Sequence, residues 1–126
     1  MSIFSRALVI LFTLIIGVGF TPNDVLVTAT VYHAVEGQTD STPLITASGK
    51  KINPNNPASH KWIAVSRDLE QLGFVFGAEV IVCGAGGMNG IWVVQDRMNK
   101  RWTHRIDFLV NENTIGKWED VSIRLK

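Results

Sequence analysis

The sequence predicts a mainly β fold, a compact barrel of five or six short strands with one or two small helices. Three observations lead there. Short apolar or alternating runs recur along the chain, separated by segments rich in Gly, Asn and Pro. Only one of these segments carries a full set of helix start and stop signals. Cys83 is the single cysteine, so no internal disulfide can form, and one closed core must hold the domain together.

The elements follow in order. "DVLVTATVYH" alternates, with Val25, Val27, Ala29 and Val31 on one face and Thr28, Thr30 and Tyr32 on the other, as a half-buried first strand does. "AVEGQTDSTP" reads as an exposed polar loop, "LITASGKKI" as a short extended piece, and "NPNNPASHK" as irregular chain. "WIAV" is a brief buried strand. In "SRDLEQLGF", Ser66 takes the N-cap position, Asp68 and Glu70 lie in the first turn, and Gly73 stops the helix. "AEVIVCG" and "GIWVVQD" flank "AGGMN" as a hairpin, with Cys83 expected as a small buried hydrophobe and Trp62 and Trp92 as core. Ile106 to Val110 is a further strand, "NTIGKW" is expected to make one helical turn, and "DVSIRLK" closes the chain as a last strand.

Residues 1–20 stand apart from the domain at 25–126. Arg6 precedes an apolar stretch from Ala7 to Phe20, shorter than the roughly 20 residues of a spanning helix, with Gly17 and Gly19 offering a small-x-small cleavage pattern. A secretory signal is the first reading and an uncleaved anchor the second. The expected location is therefore periplasmic, extracellular or wall-associated, with membrane contact only through residues 7–20. From residue 21 onward, eleven Lys and Arg balance eleven Asp and Glu, which removes the basic footprint of a nucleic-acid binder.

One stretch asks for a special explanation. "VVQDRMNKRWTHRID" places Asp96 and Asp107 against apolar strands at either end of a loop holding Arg97, Lys100, Arg101, His104 and Arg105. Carboxylates in such places are costly unless paired or employed. Structural hydrogen bonds, or ion pairs with Arg97 or Arg105, are one explanation. Chemistry is the other.

The order "VTATVYH", "TASGKKI", "WIAVSRDL", "FGAEVIVCG", "WVVQD", "RID" and "GKWEDVSIRLK" resembles the three-aspartate (3D) domain. It is similar to the double-psi β-barrels of the membrane-bound lytic transglycosylase A and rare lipoprotein A groups. The resemblance implies a six-stranded double-psi β-barrel acting on peptidoglycan glycan strands, with Asp107 of "RID" as general acid/base and Asp96 as its nearby support. Those families carry an Asp or His after the "IAV"-type strand; here Ser66 stands there, with Asp68 two residues on.

The reaction so implied cuts the bond between N-acetylmuramic acid and N-acetylglucosamine. One group protonates the leaving oxygen and then takes the C6 hydroxyl proton as a 1,6-anhydro ring closes. Such a group must start protonated, which burial or a nearby like charge favours. Thr46, Ser48 and Lys50 are candidates to line the groove, together with Ser66 and Asp68; Trp102 is the candidate to stack on a sugar and Arg105 to attract acidic groups of the wall. A non-catalytic wall-binding module of the expansin-like kind, and a hydrolytic glycosidase using the Asp96–Asp107 pair, are the rival readings. Three histidines and one cysteine show no metal-ligand spacing, and "GAGGMNG" lacks the lysine and helix of a phosphate loop, so neither metal nor cofactor is expected.

Overall fold

A computed structural model describes residues 23–35 and 44–126. The leader reading of residues 1–20 and most of the loop reading of "AVEGQTDSTP" lie outside these described residues. Within them, six strands close into a mixed β-barrel: β1 (Val25–Tyr32), β2 (Trp62–Val65), β3 (Glu79–Cys83), β4 (Gly90–Arg97), β5 (Arg105–Leu109) and β6 (Lys117–Leu125). Around the barrel the order is β1-β5-β2-β4-β3-β6, and β6 returns to β1. The β1–β5 and β2–β4 pairs are parallel, and the remaining neighbours are antiparallel.

The interior is filled by the alternate residues that period-two strands turn inward. Val27 and Ala29 of β1, Ile63 and Val65 of β2, Val80 and Val82 of β3, Trp92 and Val94 of β4, Ile106 and Phe108 of β5, and Val121 and Ile123 of β6 form one buried cluster. Phe108 lies at its centre, with the Trp92 ring 4.6 Å away and the Trp118 ring packed edge-on at 5.8 Å. Leu69 from the short helix α1 (Arg67–Glu70) and Phe74 just beyond it join this cluster. Gly73 has φ 103° and ends the turn, and its N–H donates to the Glu70 carbonyl.

Three expectations about strand faces and turns need correction. Cys83 is exposed: Val80 and Val82 face inward, so Glu79, Ile81 and Cys83 must face out. Thiol reagents should therefore label Cys83 in the folded protein without denaturant; labelling that waits for unfolding would place it inside. "NTIGKW" makes no helix; Thr114 N–H closes a turn onto Asn111, and β6 starts at Lys117. "LITASGKKI" does not run on as an extended piece either. Gly49 at φ 91° reverses the chain, and Ile45 pairs with Lys51 across a tight turn.

A smaller apolar cluster lies on the outer surface of the barrel. Tyr32, Ile52, Ala64, Met98 and Leu109 are buried there, with Ala34, Trp62 and Trp102 packed against them. Trp62 thus belongs to this outer layer, stacked on His60 at 3.9 Å, and not to the barrel interior.

Candidate functional site

Strand register brings the two aspartates together. Thr30 pairs with Asp107, Asp107 with Ala64, and Ala64 with Asp96. Residues paired across neighbouring strands share a face, so these four form one row over β1, β5, β2 and β4. Because Ile63, Val65, Ile106 and Phe108 fill the interior, the row faces outward into the smaller cluster. Ala64 separates the carboxylates with the least side chain that a non-glycine strand residue offers. Both aspartates are half-buried.

Asp96 reaches this face through a bulge. Trp92 and Val94 point inward, and simple alternation would send residue 96 inward as well. Instead the β2–β4 register shifts, with Ile63 opposite Val94 but Ala64 opposite Asp96, leaving Gln95 as the extra residue. The "TASG" turn pins the bulge. Ser48 donates its hydroxyl to Gln95 Oε1 at 2.6 Å and its N–H to the Gln95 carbonyl at 3.2 Å, and Ala47 N–H reaches Asp96 Oδ1 at 2.9 Å. Thr46 is buried, its hydroxyl 2.9 Å from that of Ser48 and accepting Lys50 N–H at 3.0 Å. The hydroxyls of Thr46 and Ser48 therefore hold the bulge in place, while Lys50 stays exposed beside it.

The two carboxylates have different surroundings. Asp96 receives three donors: the Tyr32 hydroxyl at 2.9 Å, Ala47 N–H, and Arg97 N–H at 3.0 Å. Asp107 has one hydrogen-bond partner among the described residues, the Thr30 hydroxyl. Burial pushes the Asp107 carboxyl above its ordinary 3.8; the Thr30 bond and the Arg105 charge oppose this, the Asp96 charge adds to it, and the net direction is up. The Tyr32 phenol is driven far above its usual range, first by burial, then by the Asp96 charge and hydrogen bond and by the Asp107 charge. It remains a donor at any working pH. Neither aspartate is within 4.0 Å of an arginine or lysine side-chain nitrogen among the described residues.

No family model matches the chain, and no curated protein matches it.

The remaining candidate residues lie to one side of the row. Ser66 occupies the N-cap position of α1, yet its side chain makes no cap bond to the helix. It is fully buried and accepts Arg105 N–H at 3.0 Å. Asp68 does not reach the row. It accepts His104 N–H at 3.0 Å and faces the imidazole at 3.4 Å, which holds His104 in a left-handed backbone conformation at φ 50°. Burial pushes the Asp68 carboxyl up, but the Ser66 hydroxyl, backbone N–H groups and the His104 charge outweigh it and hold it below 3.8.

Asp68 therefore shapes the loop between β4 and β5. Asp68→Ala should cost about 1–2 kcal/mol of stability at neutral pH, read by denaturant unfolding. The carboxyl is more acidic folded than unfolded, so its contribution is complete above pH 3.8 and fades as pH falls below it. Wild type and variant should converge in acid.

Trp102 is half-buried against the outer cluster, with the Arg105 guanidinium 4.2 Å and that of Arg101 4.9 Å from its ring centre. Among the described residues, no three His, Cys, Asp or Glu side chains gather as metal ligands would. Thr30, Tyr32 and Gln95 take part in the site although the sequence does not single them out for it. The outward parity of Thr30 and Tyr32 is readable from β1, but nothing local tells that β5 pairs alongside.

Proposed function

We propose that this chain is a 3D-type double-psi barrel, exported by its N-terminal segment, that cleaves peptidoglycan glycan strands as a lytic transglycosylase with Asp107 as the single acid/base. The observation that carries the reading is the asymmetry of the carboxylate row. Asp107 is held toward its protonated form on an outer face, and Asp96 is fixed beside it by three donors. Protonated Asp107 gives its proton to the glycosidic oxygen as the bond to C1 breaks. As a carboxylate it then accepts the C6 hydroxyl proton while that oxygen closes on C1. Asp96, supported by Tyr32, supplies the like charge that helps Asp107 retain its proton and offsets positive charge developing on the sugar.

The same asymmetry favours lytic over hydrolytic cleavage. A hydrolase shares the work between two carboxyl groups, one of them free to attack or to activate water. Asp96 already spends both oxygens on protein donors. The second reading, a wall-binding module without catalysis, is favoured by a different observation: the position after β2 is a buried Ser66, and Asp68 is tied to His104.

Intact-mass analysis of sacculi incubated with the protein separates these readings. Anhydro-muropeptides are the expected products. Reducing ends would replace the lytic reading with hydrolysis, and co-sedimentation without products would replace it with binding.

A further inference from the structure

Two cations share one indole in this molecule. Arg105 and Arg101 both place their guanidinium groups over Trp102, at 4.2 and 4.9 Å from the ring centre. With both guanidinium groups within 5 Å of one ring centre, the two like charges repel one another, and a bound anion would offset that repulsion. Among the described residues, neither arginine has a carboxylate within 4.0 Å. The Arg105 Nε is buried and makes no hydrogen bond among them, a cost that a folded protein seldom accepts without a reason. Its backbone is fixed on both sides: Arg105 N–H donates to the Ser66 hydroxyl, and its carbonyl accepts Ser66 N–H at 2.9 Å.

We propose that Arg105 and Arg101, supported on Trp102, form a subsite for a carboxylate carried by the ligand, two residues along β5 from Asp107. Trp102 then acts as a platform for guanidinium groups, which present paired N–H donors to a planar anion, and not as a surface for a sugar ring. Arg105 and Asp107 lie on the same outward face of β5, which sets the distance between anchored group and reacting bond at about two strand residues, ~7 Å. The subsite rests on the glycan reading above for the identity of the ligand, though not for the anion chemistry. The carboxylate belongs to the lactyl ether of muramic acid or to a stem peptide.

Docking has a consequence for the acid. The Arg105 charge holds the Asp107 carboxyl down, against burial and the Asp96 charge. The other groups facing it are the Thr30 hydroxyl and the Tyr32 phenol, both from β1, and neither gains charge at working pH. A ligand carboxylate on Arg105 offsets that positive field, so the substrate itself moves Asp107 toward its protonated, reactive form.

The test is a titration of the full domain followed by NMR of the Arg105 Nε–H, the Trp102 indole N–H and the Asp107 carboxyl carbon. Four probes are compared: a peptide-free glycan tetrasaccharide with free lactyl carboxylates, the neutral N-acetylglucosamine tetramer, a free stem peptide, and D-lactate against chloride at equal ionic strength. The acidic tetrasaccharide should bind at least about tenfold more tightly than the neutral one, move all three signals, and raise the Asp107 titration. Arg105→Gln should erase the difference, and Arg105→Lys, which keeps charge without the fork, should restore only part of it.

Movement with the stem peptide and D-lactate but not the acidic glycan assigns the subsite to the peptide carboxylate. If neither glycan binds and D-lactate still moves the signals, the subsite stands and the glycan reading falls. Equal binding of the two tetrasaccharides overturns the subsite and leaves the glycan reading intact. Still signals with every probe overturn the subsite in the native protein, whatever the variants do.

Discussion

Under the reaction proposed above, Asp107→Asn should lower glycan cleavage by about two to four orders of magnitude while leaving the barrel folded. Asparagine keeps the size of the side chain and can still hydrogen-bond Thr30, so β5 loses only its titratable proton. The pH dependence gives a sharper check. Burial raises the Asp107 carboxyl above 3.8, so the acid form persists as pH climbs past that value and is lost above the raised one. Wild-type activity should fall along that alkaline limb, and the variant should show no such limb.

Stability should respond in the opposite sense to activity. The folded state binds the Asp107 proton more tightly than the unfolded chain does, so the stability linked to it is complete below pH 3.8 and drains away as pH rises through the folded value. An asparagine side chain cannot ionise. Urea unfolding should therefore find the Asp107→Asn variant more stable than wild type at neutral pH, with the gap closing in acid. A stability difference between variant and wild type that is the same at neutral and acid pH would show that the proton on residue 107 is not linked to folding, and its candidacy as the acid would end.

Phe108→Ala should be the most damaging single change to the fold, at about 3–5 kcal/mol and a Tm drop of roughly 10–25 °C. Phe108 is fully buried, touches the Trp92 and Trp118 rings, and sits on the strand that pairs with both β1 and β2. Its removal leaves a cavity walled by two indoles that cannot collapse into it. The loss should also reach the chemistry, since Asp107 stands on the same strand and faces the other way. Phe108→Leu fills most of the space and should keep most of both stability and activity. Equal damage from Leu and Ala would mean that the aromatic contacts, and not the volume, hold β5.

The contrast between legible and hidden features follows from range. Strand β1 is legible because its alternation is local, and so are the helix start at Ser66 and its stop at Gly73. Cys83 misleads because its apolar run suggests burial throughout, when a period of two leaves every other residue outside. The two aspartates are visible as oddities, but their meeting depends on β2 lying between β4 and β5, a pairing that no local pattern encodes. The bulge at Gln95 is beyond reach altogether. Its partners, Ser48 and Ala47, are nearly fifty residues away, and a residue count along "WVVQD" turns Asp96 to the wrong side.

That extra residue also divides β4 into two halves under different constraints. Before it, Trp92 and Val94 are fixed by the packing of the interior; after it, Asp96 belongs to the outer row. Substitutions at the half-buried Thr30, Asp96 and Asp107 can thus be sampled in combination without disturbing the barrel's filling, provided Ala64, buried in the outer cluster, is kept. Such a library should yield mostly folded proteins, a property of scaffolds on which new activities evolve.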